Sequence, residues 1–160
     1  MTPLHLVRLL GFMKRGQGRP EITVALIDGP VVLGHADLAG STIRDIPGIL
    51  RGTCTQADSV ACKHGTFVAG LLSARRGSLA PAICPACALL LRPIFAETAN
   101  GNRQMPSATP EELAEAIIDG VDAGGRVINL SSALVQSDAS ARIYGRGFAR
   151  QNDSRRRIPK

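Results

Sequence analysis

Aromatic residues are nearly missing from this chain of 160 residues: it has no tryptophan, one tyrosine and four phenylalanines, 3% in all. Hydrophobic residues make up 44%. That is enough apolar material for one globular domain, but its core must be aliphatic. The N-terminal apolar patch, residues 4–13, is too short to cross a membrane and is broken by His5 and Arg8. Its positive charge, Lys14 and Arg15, follows the patch, and no small-x-small cleavage site comes after. That order is wrong for a secretory leader. Acidic residues are outnumbered, 13 against 19 Lys and Arg, for a formal net charge of +6. The excess is concentrated at residues 142–160, where seven basic residues face one acid, Asp153. Only Tyr144 and Phe148 could stack on bases there, so the tail reads as a solvated, disordered end. The expectation is a soluble, cytoplasmic protein with neither membrane nor nucleic acid as partner.

What is present is an alternation of strand and helix patterns. Ile22-Thr23-Val24-Ala25-Leu26-Ile27 is a continuous apolar, β-branched run that stops at Asp28-Gly29-Pro30. Such a run reads as a buried parallel strand closed by a carboxylate and a turn. Residues 41–46 suit a short strand and residues 48–63 an irregular surface loop. A helix is expected from His64 to about Ala74, stopped at Arg75-Arg76-Gly77. Ala88-Leu89-Leu90-Leu91-Arg92 is a second buried strand, closed by Pro93, and residues 96–108 are a polar loop. Thr109, Pro110 and Glu112 spell an N-cap, a proline at the first helical position and a capping box. Leu113, Ala114, Ile117, Ile118 and Val121 then form one apolar stripe, ended by Gly124 and Gly125. Residues 126–132 read as a third buried strand. Leu6, Leu9, Leu10 and Met13 suit one face of a short helix docking on the domain. The order strand, helix, strand, helix, strand predicts an α/β domain with a parallel sheet flanked by helices.

In open α/β sheets ligands bind beyond the carboxyl ends of the strands, which is where Asp28 stands. Histidine is the side chain that changes charge near neutral pH. His64 sits at the mouth of the small-residue run Gly65, Thr66, Val68, Ala69, Gly70. Alone, a histidine at a helix start is more often structural, and an aspartate ending a strand is often only a turn former. The pair is more specific: Asp28 is followed 36 residues later by His-Gly-Thr-x-Val-Ala-Gly.

These residues resemble the N-terminal part of the subtilisin-like serine proteases, the peptidase S8/S53 superfamily. The segment His35-Ala36-Asp37-Leu38-Ala39-Gly40 is similar to the family's His-Pro-Asp-Leu stretch after the acid. Most members have Asp-Ser-Gly or Asp-Thr-Gly where this chain has Asp28-Gly29-Pro30. That variant, with Leu91-Arg92-Pro93-Ile94-Phe95 and Asn129-Leu130-Ser131, resembles the branch that matures cyanobactin precursor peptides. The resemblance implies that Asp28 is the catalytic acid and His64 the general base. It implies that Ser131, Ser132 and Ala133 pair with an extended substrate backbone as an added strand, although Ala133 and Leu134 replace the glycines often found there. A peptide or protein is the implied substrate, and no cofactor or metal is expected.

Two parts of that chemistry are missing. No Gly-Thr-Ser-x-Ala occurs in the sequence, and no later asparagine follows an apolar strand; Asn152 lies among Arg, Gln and Asp. Gly77-Ser78-Leu79-Ala80 lacks the threonine and the following helix and reads as a loop. The resemblance covers residues 21–136, with an extension at 1–20 and the basic tail at 137–160. The abrupt change at Ser137 suggests a truncated or frame-shifted product. The expectation is therefore the acid–base half of a serine endopeptidase, inactive alone unless a second polypeptide supplies the rest. A non-catalytic peptide-binding or regulatory module is the alternative.

Cys54, Cys62, Cys84 and Cys87 leave several readings open. Cys84-Pro85-Ala86-Cys87 has redox-motif spacing but precedes a strand instead of opening a helix. A four-thiolate zinc site would have its first pair too widely spaced. Free thiols, or the local bridges Cys54–Cys62 and Cys84–Cys87, are the simplest readings, and a reducing cytosol disfavours stable bridges.

Overall fold

Strand β1, Thr23–Ile27, is buried at all five positions, as an uninterrupted apolar run demands. The computed structural model describes residues 9–79, 81–98 and 106–132. Within them, β1 pairs in parallel with β3, Ala88–Leu91, on one side and with β4, Val127–Leu130, on the other. The short strand β2, Ile43–Asp45, flanks β3, so the sheet has four parallel strands in the order β2-β3-β1-β4. From β1 the chain first builds to one side and then returns to the other, which opens a crevice at the strand ends beside β1.

Because side chains alternate across a strand, β1 serves two layers. Val24 and Leu26, with Leu89 and Leu91 of β3, pack against Val68 and Ala69 of helix α2, Val60–Ser73. Ala25 and Leu90 meet Ile46 and Ile128 on the opposite face, where Ile27 packs with Ile94 and with Ala116 of helix α3, Pro110–Asp122. Among the described residues the fully buried members are all aliphatic or cysteine, and only the half-buried Phe95 adds an aromatic ring.

Three elements differ from their sequence reading. Helix α2 begins a turn earlier, at Val60, because the Ser59 hydroxyl caps it by accepting the Cys62 N–H at 3.2 Å. His64 therefore lies in the second turn. Helix α3 has the expected cap at Thr109 and capping box with Glu112. Its fully buried residues are the small Ala116 and Gly120, with Leu113 and Ile117 of the expected stripe half-buried beside them, which leaves Ile118 58% and Val121 55% exposed. Strand β4 is not buried: among the described residues its one partner is β1, and Val127 and Leu130 are exposed.

At the N-terminus, helix α1, Leu9–Arg15, keeps Leu9, Leu10 and Met13 half-buried; Leu6 lies outside the described residues. Arg76 ties this segment down by donating to the carbonyls of Met13 and Gly16 at 3.2 and 2.8 Å. The cysteines form the two local bridges, Cys54–Cys62 and Cys84–Cys87. Among the described residues no helix is long and apolar enough to cross a membrane. The basic tail and Ala133 lie outside the described residues.

Candidate active site

Asp28 follows β1 directly and is 1% exposed. A buried carboxylate needs donors, since an unpaired one is costly away from water. Its Oδ1 accepts the Gly29 N–H at 2.7 Å and lies 2.8 Å from Nδ1 of His64. Oδ2 has no partner among the described residues. The Asp28 carbonyl accepts the N–H groups of Ile94 and Phe95 at 2.9 and 3.3 Å, which fixes the strand end from the β3 side.

The approach of α2 to this turn depends on two missing side chains. A Cβ on Gly29 would overlap the Ala61 carbonyl, and one on Gly65 would overlap the carbonyl oxygens of Gly29 and Pro30. With both absent, the helix lies directly on the Asp28-Gly29-Pro30 turn, and the residue before Gly65 is brought onto the carboxylate. Further ties hold the register. The Thr66 hydroxyl accepts the Val32 N–H at 2.9 Å, Val31 donates to Gly52, and Cys54 donates back to Val31. The Cys54–Cys62 bridge joins that loop to the first turn of α2.

The electrostatics follow from this placement. An ionised carboxylate only accepts, so the proton of a neutral His64 belongs on Nδ1, and the lone pair is left on Nε2. The His64 side chain is 43% exposed while that of Asp28 is closed off, so the carboxylate side is dry and the far side of the ring is open. Such an imidazole can take a proton from a hydroxyl brought to Nε2 and be held as a cation by the acid behind it.

Ser131 and Ser132 follow β4 and are exposed. In the β1–β4 register Ile27 faces Leu130, so Asp28 and Ser131 both begin the crevice at the carboxyl ends of their strands. Ser131 Oγ accepts from Asn129 Nδ2 at 3.0 Å and touches neither Asp28 nor His64. Ser78 lies beyond the far end of α2, whose last residue, Ser73, is nine residues past His64 or about 14 Å along the axis. It is a loop residue, as its sequence context predicts. On the outer face of α2, one turn from His64, a cleft of about 330 Å³ is lined by Val32, Leu38, Phe67 and Leu71, with His35 and Lys63 at its polar edge.

Glu97 is a polar-loop residue by sequence, with nothing to single it out. In the structure its carboxylate accepts from the Thr55 N–H and hydroxyl and from the Gln56 N–H, at 2.6–3.1 Å. Burial pushes its pKa up, but those hydrogen bonds outweigh burial and hold the group below the usual glutamate value. Nothing in the local sequence signals that contact, because its partners lie more than 40 residues earlier.

By sequence, no family model and no curated protein matches the chain. Solved structures do. The protease domain of PatA matches at 29% identity with a TM-score of 0.67, over 76% of this chain and 42% of its own. The prenylagaramide maturation protease PagA matches at 26% and 0.64, over 81% and 41%. A patellamide maturation protease PatA structure reaches 30% identity at 0.58, over 75% and 40%. The chain thus spans about two fifths of the length of these structures. In fold the chain is similar to an N-terminal part of these subtilisin-like cyanobactin maturation proteases.

Proposed function

We propose that this chain carries the acid–base half of a subtilisin-type serine endopeptidase that acts on ribosomally made precursor peptides. The single observation behind this reading is the 2.8 Å contact of His64 Nδ1 with the buried Asp28 Oδ1, made by a side chain that is itself 43% exposed. In the proposed reaction Nε2 takes the proton of an attacking serine hydroxyl, and Asp28 orients the ring and stabilises the imidazolium. The same proton then passes to the leaving amine. Ser131 and Ser132 form the rim along which an extended peptide backbone lies as an added strand. Peptide substrates are supported by the structural neighbours, which include maturation proteases, a lanthipeptide protease and a macrocyclase in complex with peptide.

Hydrolysis also needs the hydroxyl itself and a donor for the oxyanion. Among the described residues none of Ser78, Ser131 and Ser132 is hydrogen-bonded to His64, and in this reading the nucleophile comes from outside them, a second polypeptide being one source. A fluorophosphonate probe tests this directly. The expected result is no covalent labelling of the isolated chain. Labelling that appears on adding a polypeptide that carries the Gly-Thr-Ser-x-Ala segment, and disappears in His64→Ala, would support a split enzyme. Labelling of the isolated chain would overturn the proposed inactivity.

A second reading rests on a separate observation, the open outer edge of β4 among the described residues. An edge strand pairs with an extended peptide without any chemistry, so a non-catalytic peptide-binding module would use the same rim.

A further inference from the structure

We propose that, when its Cys54–Cys62 bridge is reduced, the protein holds a thiophilic divalent cation of the Zn2+ type between Cys54, Cys62 and Glu97. The two sulfurs and a carboxylate oxygen of Glu97 all lie within 4.8 Å of one another. The Cys54 and Cys62 Cα atoms are 5.8 Å apart. Tetrahedral zinc, with bonds of about 2.3 Å to sulfur and about 2.0 Å to oxygen, sets its ligand atoms roughly 3.5–3.8 Å apart. Parting the sulfurs and drawing in the carboxylate reaches that spacing without moving an element of the fold. Two thiolates and one carboxylate suit a soft or borderline cation and leave a fourth position for water.

The surroundings favour such a site over two loose thiols. Cys62 is fully buried on the first turn of α2, and Cys54 is held by its backbone bond to Val31, so neither sulfur must be gathered from a flexible segment. Glu97 is already aimed at this corner by its bonds to Thr55 and Gln56, and a carboxylate has lone pairs to spare for a metal. Reduction by a thiol reductant consumes two thiols, releases their disulfide and leaves two protein thiols. Binding of M2+ then releases both thiol protons to solvent. The cation thereby replaces the covalent tie between the 52–56 loop and the helix turn that lies two residues before His64. The placement of His64 is then independent of the redox state of the compartment. This does not depend on the peptidase reading.

The test uses the full chain, reduced with a phosphine under anaerobic conditions and titrated with Co2+ as a visible stand-in, with thiols counted by mass. One Co2+ per chain is expected, with sulfur-to-cobalt charge-transfer absorption that the oxidised chain does not give. Cys62→Ser should abolish it. Cys84→Ser with Cys87→Ser should leave it. Glu97→Gln keeps every cysteine, should fold, and should weaken binding by at least about tenfold. Zn2+ should raise the melting temperature of the reduced chain and not that of the oxidised one. The proposal fails if the fully reduced chain gives no such absorption. It fails equally if Glu97→Gln binds as tightly as the parent, or if the signal follows Cys84 and Cys87.

Discussion

The two faces of the sheet are finished to different degrees. Toward α2, every apolar side chain of β1 and β3 meets a partner, and two glycines let helix and strand end touch backbone to backbone. Toward α3, contact is made through Ala116 and Gly120, with Leu113 and Ile117 half-buried and Arg92 donating to Asp119 at 2.8 Å, while Ile118, Val121 and strand β4 stay exposed. The Asp28–His64 pair stands on the finished side. There the 2.8 Å contact joins a strand end to a helix whose backbones are in direct contact. The less finished side is the one where β4 has one partner among the described residues.

The largest effect should come from adding one methyl group to the finished side. Helix propensity alone favours Gly65→Ala by about 1 kcal/mol. The new Cβ, however, would meet the carbonyl oxygens of Gly29 and Pro30, which are backbone atoms with nowhere to go. Overpacking of this kind costs about 1–3 kcal/mol, and here the upper end is expected because no rotamer change relieves it. Gly70, five residues along the same helix, has no atom within 4 Å of the position a Cβ would take. Gly70→Ala should therefore stabilise the chain by up to about 1 kcal/mol. Urea melts of the two variants, with the His64 ring resonances as a second readout, should move in opposite directions. A neutral Gly65→Ala would show that the close crossing is not what places His64.

How much of this is legible in the sequence varies with the range of the interaction. Strand β1, the Thr109 cap and the order of elements are set by local pattern, and they stand where the residues put them. The start of α2 is hidden because Ser59, Val60 and Ala61 carry no periodic signal; the cap is visible only once Ser59 meets the Cys62 N–H. The stripe of α3 is right for Leu113 and Ile117, which pack half-buried on the core, and misses at Ala114, Ile118 and Val121, because the closest approach to the sheet is made by the small residues Ala116 and Gly120. The exposure of β4 is invisible because a continuous apolar run cannot say whether a neighbour strand is at hand. The nearness of Asp28 and His64 is suggested only by a family resemblance. Its physical basis, the fit of Gly29 and Gly65, is a long-range fact.

A smaller effect is expected at Glu97, which links the finished side to the loop of Cys54. Its folded-state pKa lies below the usual glutamate value, so its contribution is fully present above the unfolded value and is lost as pH falls through the lowered one. Glu97→Gln should therefore cost roughly 1 kcal/mol at neutral pH, after allowing for solvent screening of a partly exposed carboxylate. The gap from the parent should close as the solution is acidified below the carboxylate range. A gap that stays constant down to strongly acidic pH would mean that the amide loses packing and not charge-assisted hydrogen bonds.

The smallest effect is expected on the unfinished side. Ile118→Asn and Val121→Asn remove apolar groups that are more than half exposed. Surface substitutions of this kind stay within about 0.5 kcal/mol. The comparison sharpens if the same two changes are made in the chain combined with the rest of a peptidase domain. A covering layer would desolvate both residues, and full burial of such side chains is worth about 1.5–3 kcal/mol each. Near-zero cost alone and a cost of that size in the combined form would identify this face as the one on which the fold is completed. A cost of that size in the chain by itself would mean that Ile118 and Val121 are already covered, and the contrast between the two faces would not hold.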